Sequence, residues 1–95
     1  MTVEELRAEL KSLVSGLTAS GFGSIDSGVV EKLDKFCVTA GELGMTEGKR
    51  LIENLLGVIK AIQEGKSQAE SGMIRLTALD YYLNKLSGSE SIEDL

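Results

Sequence analysis

Residues 46–64 read TEGKRLIENLLGVIKAIQE, and their apolar side chains return at the spacing of an α-helix. The stripe that they form is Leu51, Ile52, Leu55, Leu56, Ile59 and Ile62. Most of the other positions are polar, so one face would meet a core and the other solvent. The stretch therefore predicts an amphipathic helix that ends at Gly65. Gly57, in its middle, is expected to let a neighbouring helix come close.

Three other segments carry the same helical pattern, at about residues 2–19, 26–43 and 68–86. Their apolar stripes are Leu6, Leu10, Leu13, Val14 and Leu17; then Val29, Val30, Leu33, Phe36, Cys37, Ala40 and Leu43; and last Met73, Leu76, Leu79, Leu83 and Leu86. Helices of similar length joined by short connections pack antiparallel. The sequence thus predicts an all-α, antiparallel, up-down-up-down four-helix bundle over residues 1–88. An acidic, disordered tail is expected at residues 89–95.

Residues with capping chemistry mark the ends of these segments. Thr2 and Glu5 predict a capping box, in which a hydroxyl and a carboxylate bind otherwise unpaired backbone N–H groups. Ser24 or Asp26 would cap the second segment. Gly44 is predicted to end that segment with a positive φ, a conformation that glycine adopts without steric cost.

Charge and composition restrict the class of partner. The chain has 95 residues, a net charge of −5 and a single cysteine. Nucleic acids and anionic membrane surfaces attract Lys and Arg, so neither is an expected partner. No apolar run approaches the roughly 20 residues that span a bilayer, and the acidic start does not resemble a signal peptide. A cytoplasmic protein is expected.

Histidine is absent from the sequence, which removes the commonest general base near neutral pH. Without it, Ser–His and Cys–His nucleophile pairs cannot form, and one cysteine cannot supply a typical zinc site. The carboxylates of Glu42, Glu47 and Glu53 lack the histidines of a di-iron bundle, and we interpret them as a solvated face. We therefore expect no catalytic activity, no metal and no cofactor.

A short motif near the middle of the chain suggests a family. Residues 40–45 read AGELGM, and a leucine-spaced segment and Gly65 follow. This order resembles the histidine-containing phosphotransfer (HPt) family, whose members are small four-helix bundles that relay phosphoryl groups to response-regulator receiver domains. Their signature is His-x-x-Lys-Gly on one helix, followed by Leu-Gly at its end. The resemblance covers residues 29–65 and implies the same bundle architecture.

This sequence departs from the HPt signature at its reactive positions. Counting back from the Leu-Gly pair puts Asp34 in the place of the phospho-accepting histidine, Cys37 in that of the lysine and Val38 in that of the glycine. The family relay requires a phosphoramidate, which a carboxylate cannot form. The resemblance therefore implies a domain that has lost phosphotransfer and docks to a receiver or histidine-kinase domain. The expected partner-facing residues are Asp34, Lys35, Val38 and Glu42.

Two alternatives from other classes remain. Residues 26–28, Asp-Ser-Gly, partly resemble the Asp-Ser-Leu of acyl and peptidyl carrier proteins, in which the serine receives phosphopantetheine. On that interpretation Ser27 would be modified, although a plain helix N-cap explains the pattern more simply. The other alternative is a structural or oligomerisation bundle. Either a monomer or a homodimer is compatible with the sequence.

Two further features have a structural interpretation and a functional one. Cys37 is expected to be a small hydrophobic residue at the core rather than a reactive thiol. Of the adjacent Tyr81 and Tyr82, one ring is expected to cover the edge of the core and the other to lie on the surface. A partner-facing tyrosine is the alternative, since tyrosine is enriched at interfaces.

Overall fold

The computed structural model describes residues 1–22, 25 and 27–93, with side chains as far as Leu86. Within these residues it contains four helices and no strand. The helices are α1 (Val3–Ser20), α2 (Ser27–Glu42), α3 (Thr46–Gln63) and α4 (Ala69–Glu93). Each helix packs against two others, in the cyclic order α1, α2, α3, α4. The predicted antiparallel four-helix bundle is confirmed.

The inward stripes of all four helices form one hydrophobic core. Its fully buried large side chains are Leu6, Leu10, Leu33, Ile52, Leu55, Ile59, Leu76, Leu79 and Leu83. Complete burial of each such side chain stabilises the fold by about 1.5–3 kcal/mol. α3 makes more extensive contacts with α2 and α4 than α1 makes with its neighbours. The segment at residues 46–64 thus forms the centre of the packing.

Met73 lies outside this core, in contrast to the prediction. Its side chain is 38% exposed, and the inward position one residue earlier is taken by the buried Gly72. Leu76, Leu79 and Leu83 follow Gly72 at helical spacing, so Met73 is rotated toward the edge of the helix. The stripe of α4 therefore begins with a glycine rather than with a large apolar residue.

Gly44 reverses the chain between α2 and α3. Its φ is +77°, as predicted. The Met45 N–H donates to the Ala40 carbonyl at 2.8 Å, and the Gly44 N–H donates to the Gly41 carbonyl at 3.2 Å. These two bonds constitute a Schellman motif, which satisfies the last carbonyls of a helix. The same pair of bonds closes α3 around Gly65, whose φ is +76°.

The start of α1 forms the predicted capping box. The Glu5 N–H donates to Thr2 Oγ1 at 3.1 Å, and the Thr2 N–H donates to Glu5 Oε1 at 2.9 Å. Hydrogen bonding to Thr2 lowers the pKa of the Glu5 carboxyl. The caps proposed for α2, Ser24 and Asp26, lie outside the described residues.

Polar side chains of α1 fasten it to α4. Arg7 Nε donates to the Leu83 carbonyl at 3.1 Å. Lys11 Nζ lies 2.9 Å from Asp80 Oδ1 and 2.8 Å from Asn84 Oδ1. The ion pair is partly exposed, so solvent screening limits its contribution to at most about 1 kcal/mol. These bonds fix the position of α1 along α4 more than they stabilise the fold.

Phe22, in the connection between α1 and α2, closes one end of the core. From the sequence, this connection is expected only to end a helix. In the structure, however, Phe22 is buried, with 5% of its surface exposed. A Cβ added at Gly72 would lie 2.9 Å from the ring Cζ and 3.0 Å from Ile62 Cδ1. The ring thus packs directly on the backbone of α4, and only glycine leaves room for it.

The close approach expected at Gly57 occurs elsewhere. Gly57 is exposed, and a Cβ added there would have no neighbour within 4 Å. A Cβ at Gly48, in contrast, would lie 3.1 Å from the Tyr82 ring. The expectation for Gly57 was wrong because that position faces solvent rather than a neighbouring helix.

α4 continues past its predicted end near Leu86 and runs to Glu93. Gly88 keeps a helical backbone, since glycine within a helix costs only about 1 kcal/mol. The helix therefore does not end at Ser87 and Gly88. The predicted division into residues 1–88 and 89–95 stays a prediction, because the side chains after Leu86 lie outside the described residues.

Gly57→Ala and Gly72→Ala should change the free energy of unfolding in opposite directions. Gly57→Ala should stabilise the protein by about 0.5–1 kcal/mol, because alanine favours the helix and its methyl group meets open space. Gly72→Ala should destabilise it by about 1–3 kcal/mol, because the methyl group overlaps Phe22. Urea unfolding followed by circular dichroism measures both, and equal stabilisation by the two substitutions would contradict the packing at Gly72.

Candidate docking face on the second helix

The four predicted partner-facing residues are all exposed on α2. Asp34, Val38 and Glu42 follow one another at intervals of four residues, so they line up along one side of the helix. Val38 is 61% exposed, whereas Leu33, Phe36 and Ala40 of the same helix are buried. The second helix therefore presents an apolar side chain between two acidic ones.

A shallow depression between α2 and α3 contains this line of residues. We call it the α2–α3 groove; it is lined by Asp34, Cys37, Val38, Gly41, Glu42, Lys49 and Glu53. Three carboxylates face one ammonium group there, so the groove is net negative. An exposed apolar group in a negative setting suits a surface that offers Lys or Arg around an apolar contact.

Lys49 crosses from α3 to the surface of α2. A Cβ added at Gly41 would lie 3.4 Å from Lys49 Cδ, so the stem of the lysine runs alongside the bare backbone at Gly41. Long lysine stems commonly lie on such surfaces while the ammonium group stays in water. The lysine carries the only positive charge among the residues that line the groove.

Cys37 forms part of the groove wall and is half-buried. Its thiol lies 3.9 Å from the Lys49 carbonyl, a long contact in which Sγ is the donor. Burial raises the pKa of the Cys37 thiol, and the negative charge of Glu53 raises it further. Lys49 lowers this pKa by a smaller amount than Glu53 raises it, and Asp34 raises it least. A thiol that holds its proton is a poor nucleophile, which agrees with the structural interpretation.

Lys35 does not join the other three predicted residues. It lines a separate groove between α1 and α2, together with Lys32, Leu13 and Phe36. Residues 34 and 35 differ by 100° around a helix, which is enough to place them on opposite flanks of α2. The structure thus brings Asp34, Val38 and Glu42 together and separates Lys35 from them.

Ser27, the residue of the carrier-protein alternative, is exposed and is the first residue of α2. Seven residues separate it from Asp34, which corresponds to about 10 Å along the helix. Ser27 is not among the residues that line the α2–α3 groove. A modification there would use a different part of the surface.

Sequence reasoning missed three residues of the groove, Gly41, Lys49 and Glu53. The spacing of Lys49 and Glu53 already put both on one polar edge of the third helix. Their position opposite Asp34 and Val38 depends on the antiparallel pairing of α2 and α3.

The tyrosine prediction is confirmed, since Tyr82 is half-buried against Gly48 and Tyr81 is 64% exposed.

Comparison with known proteins finds no relative: no family model, no curated protein and no solved structure matches the chain. Across the part of the chain that the structure describes, no three His, Cys, Asp or Glu side chains converge as metal ligands would. Within the same residues, none of the helices combines the length and the apolar character needed to cross a bilayer. The geometry of the groove is therefore the basis for a functional hypothesis.

Alkylation of Cys37 should be slow at neutral pH and should accelerate when Glu53 is neutralised. The thiolate is the reactive form, and the Glu53 carboxylate is among the groups that raise the thiol pKa. Glu53→Gln should therefore shift the pH–rate curve for iodoacetamide to lower pH. Glu64→Gln, exposed at the end of α3, is the matched control. An unchanged curve for Glu53→Gln would show that the carboxylate does not act on the thiol.

Proposed function

We propose that this chain is a non-catalytic protein-interaction module and that the α2–α3 groove is its docking surface. The observation that carries the proposal is the exposed Val38, held between the carboxylates of Asp34 and Glu42. Protein interfaces commonly have an apolar centre and a polar rim, which is the arrangement found here. Covering a valine side chain contributes up to about 1.5–3 kcal/mol to such a contact.

The partner class that fits best is a receiver or histidine-kinase domain of two-component signal transduction, in the cytoplasm. Asp34 supports this assignment because it is exposed on α2, as a phospho-accepting residue at that position of an HPt-like bundle would have to be. Its carboxylate would act as a fixed negative charge in the contact rather than as a phosphoryl acceptor. The net negative groove would select a partner surface with basic residues and increase the association rate.

Val38→Glu and Asp34→Lys should weaken binding to purified receiver domains. Val38→Glu removes the apolar centre and adds a fourth carboxylate, so we expect affinity to fall by tenfold or more, about the loss found at a central contact. Asp34→Lys replaces a negative charge at the rim by a positive one and should cost roughly twofold to tenfold. Titration of the ¹⁵N-labelled chain, followed by NMR, measures affinity and locates the contact together.

Glu9→Lys makes the same change of charge as Asp34→Lys at an exposed position of α1, outside the groove, and should bind like the unchanged chain. Equal losses for the two lysine variants would show that only overall charge matters and would remove the groove from the proposal. Transfer of a phosphoryl group from a phosphorylated receiver to this chain would contradict the non-catalytic assignment.

The carrier-protein alternative is supported by one observation, the exposed hydroxyl of Ser27 at the start of α2. A phosphopantetheinyl transferase with coenzyme A would then increase the intact mass by one prosthetic arm, and Ser27→Ala would prevent the increase. We expect an unchanged mass for both proteins, because Gly28 replaces the leucine of the carrier motif. Mass spectrometry after incubation with a transferase of broad specificity provides the measurement.

A further inference from the structure

α4 carries a second apolar stripe on the side that faces away from the core. Ile74 is 67% exposed and Tyr81 is 64% exposed. They are seven residues apart, so they lie on the same side of the helix, and the half-buried Ala78 lies between them. In α3 the apolar residues are concentrated on the inner face, whereas α4 distributes them over two faces. Packing within the bundle does not account for the outer stripe.

Opposite charges flank this stripe. Glu70 is exposed before Ile74, and Lys85 is exposed after Tyr81. The Lys85 ammonium lies 5.4 Å from the centre of the Tyr81 ring, so it borders the apolar surface directly. We call the set Glu70, Ile74, Ala78, Tyr81 and Lys85 the α4 face. In chain order, the five side chains of this face are acidic, apolar, small, aromatic and basic.

The α4 face is complementary to itself in the antiparallel direction. The midpoint between Glu70 and Lys85 along the helix coincides with the midpoint between Ile74 and Tyr81. Both midpoints fall between residues 77 and 78. A two-fold axis at this point places Ile74 against the partner's Tyr81 and Glu70 against the partner's Lys85, each pair twice. A parallel arrangement would instead oppose like charges. Ala78 lies at the crossing, where a small side chain allows the 8–10 Å separation of closely packed helices.

We propose that the α4 face binds a second copy of this chain and forms a symmetric dimer with antiparallel α4 helices. Glu70 and Lys85 cannot pair within one chain, because they are 15 positions apart, which corresponds to about 22 Å along the helix. That distance exceeds the screening length of roughly 8–10 Å at moderate salt. The face shares no residue with the α2–α3 groove, so the dimer would present two grooves.

Sedimentation equilibrium from micromolar to millimolar concentration tests the dimer. The unchanged chain should show a monomer–dimer equilibrium. Ile74→Ser should weaken the dimer tenfold or more, because it removes two buried contacts per dimer. Val3→Ser, the same kind of change at an exposed aliphatic residue of α1, should leave association unchanged. Circular dichroism of each variant confirms that it remains folded.

Charge exchange tests the antiparallel register. Glu70→Lys alone and Lys85→Glu alone each replace two attractive contacts by two repulsive ones, and each should weaken self-association about tenfold or more at low salt. An equal mixture of the two variants should form a heterodimer with the affinity of the unchanged chain to within about threefold, since opposite charges again meet.

Three results would overturn the proposal. The first is a chain that sediments as a monomer at every concentration. The second is a dimer that is insensitive to Ile74→Ser, which would place the contact elsewhere on the molecule. The third is a mixture of Glu70→Lys and Lys85→Glu that associates no better than either variant alone, which would exclude the antiparallel pairing of α4.

Discussion

The inward stripe of α3 is too wide for one neighbouring helix to cover. Ile52, Leu55 and Ile59 are completely buried, and Leu56 is only 6% exposed. An apolar face of this width requires packing partners on two sides, since each exposed methylene group costs about 0.8 kcal/mol. α2 and α4 supply them, and their own stripes then require α1 to complete the core.

The connections on either side of α3 make this arrangement possible. Gly44 and Gly65 both take a positive φ within Schellman motifs, so the chain reverses within a few residues and the last carbonyls of α2 and α3 stay hydrogen-bonded. Short reversals leave antiparallel packing as the available arrangement. The Leu-Gly pair that resembles the HPt signature is thus explained by the turn at Gly44. Any bundle with such a turn would have the same reason to place glycine there. Asp34 and Val38 stand where that signature has its histidine and its glycine, so the resemblance does not extend to the reactive positions.

The surface of the bundle has two features that folding does not require. Isolated exposed apolar residues are normal, so the exposure of Val38 indicates a binding surface only because a charged groove surrounds it. Ile74 and Tyr81 indicate a binding surface because they lie on the same side of α4 and because charged residues lie at both ends of the α4 face. Under the two proposals, the first arrangement, which is asymmetric, would receive a different protein, whereas the second, which is symmetric, would receive a copy of the same chain. One helix of the bundle would thus assemble it and another would recognise a partner.

Local chemistry allowed several features to be predicted from sequence. The capping box of Thr2 and Glu5 needs only four consecutive residues, and Gly44 and Gly65 end their helices through backbone conformation alone. The apolar stripes follow from helical periodicity, which is also local, and together with the short connections they indicate the bundle. The absence of histidine likewise excludes several kinds of site on chemical grounds alone, because no fold can supply an imidazole that the chain lacks.

Tertiary packing determined the rest, because it depends on which residues of different helices meet. Gly57 and Gly72 both occupy helical positions in the sequence, yet one faces solvent and the other receives the Phe22 ring. The α2–α3 groove likewise joins Asp34 to Glu53 across two helices, while Lys35, the next residue in the chain, turns to the other flank. Periodicity places a residue on a face of its own helix, and only the packing of the four helices determines what that face meets.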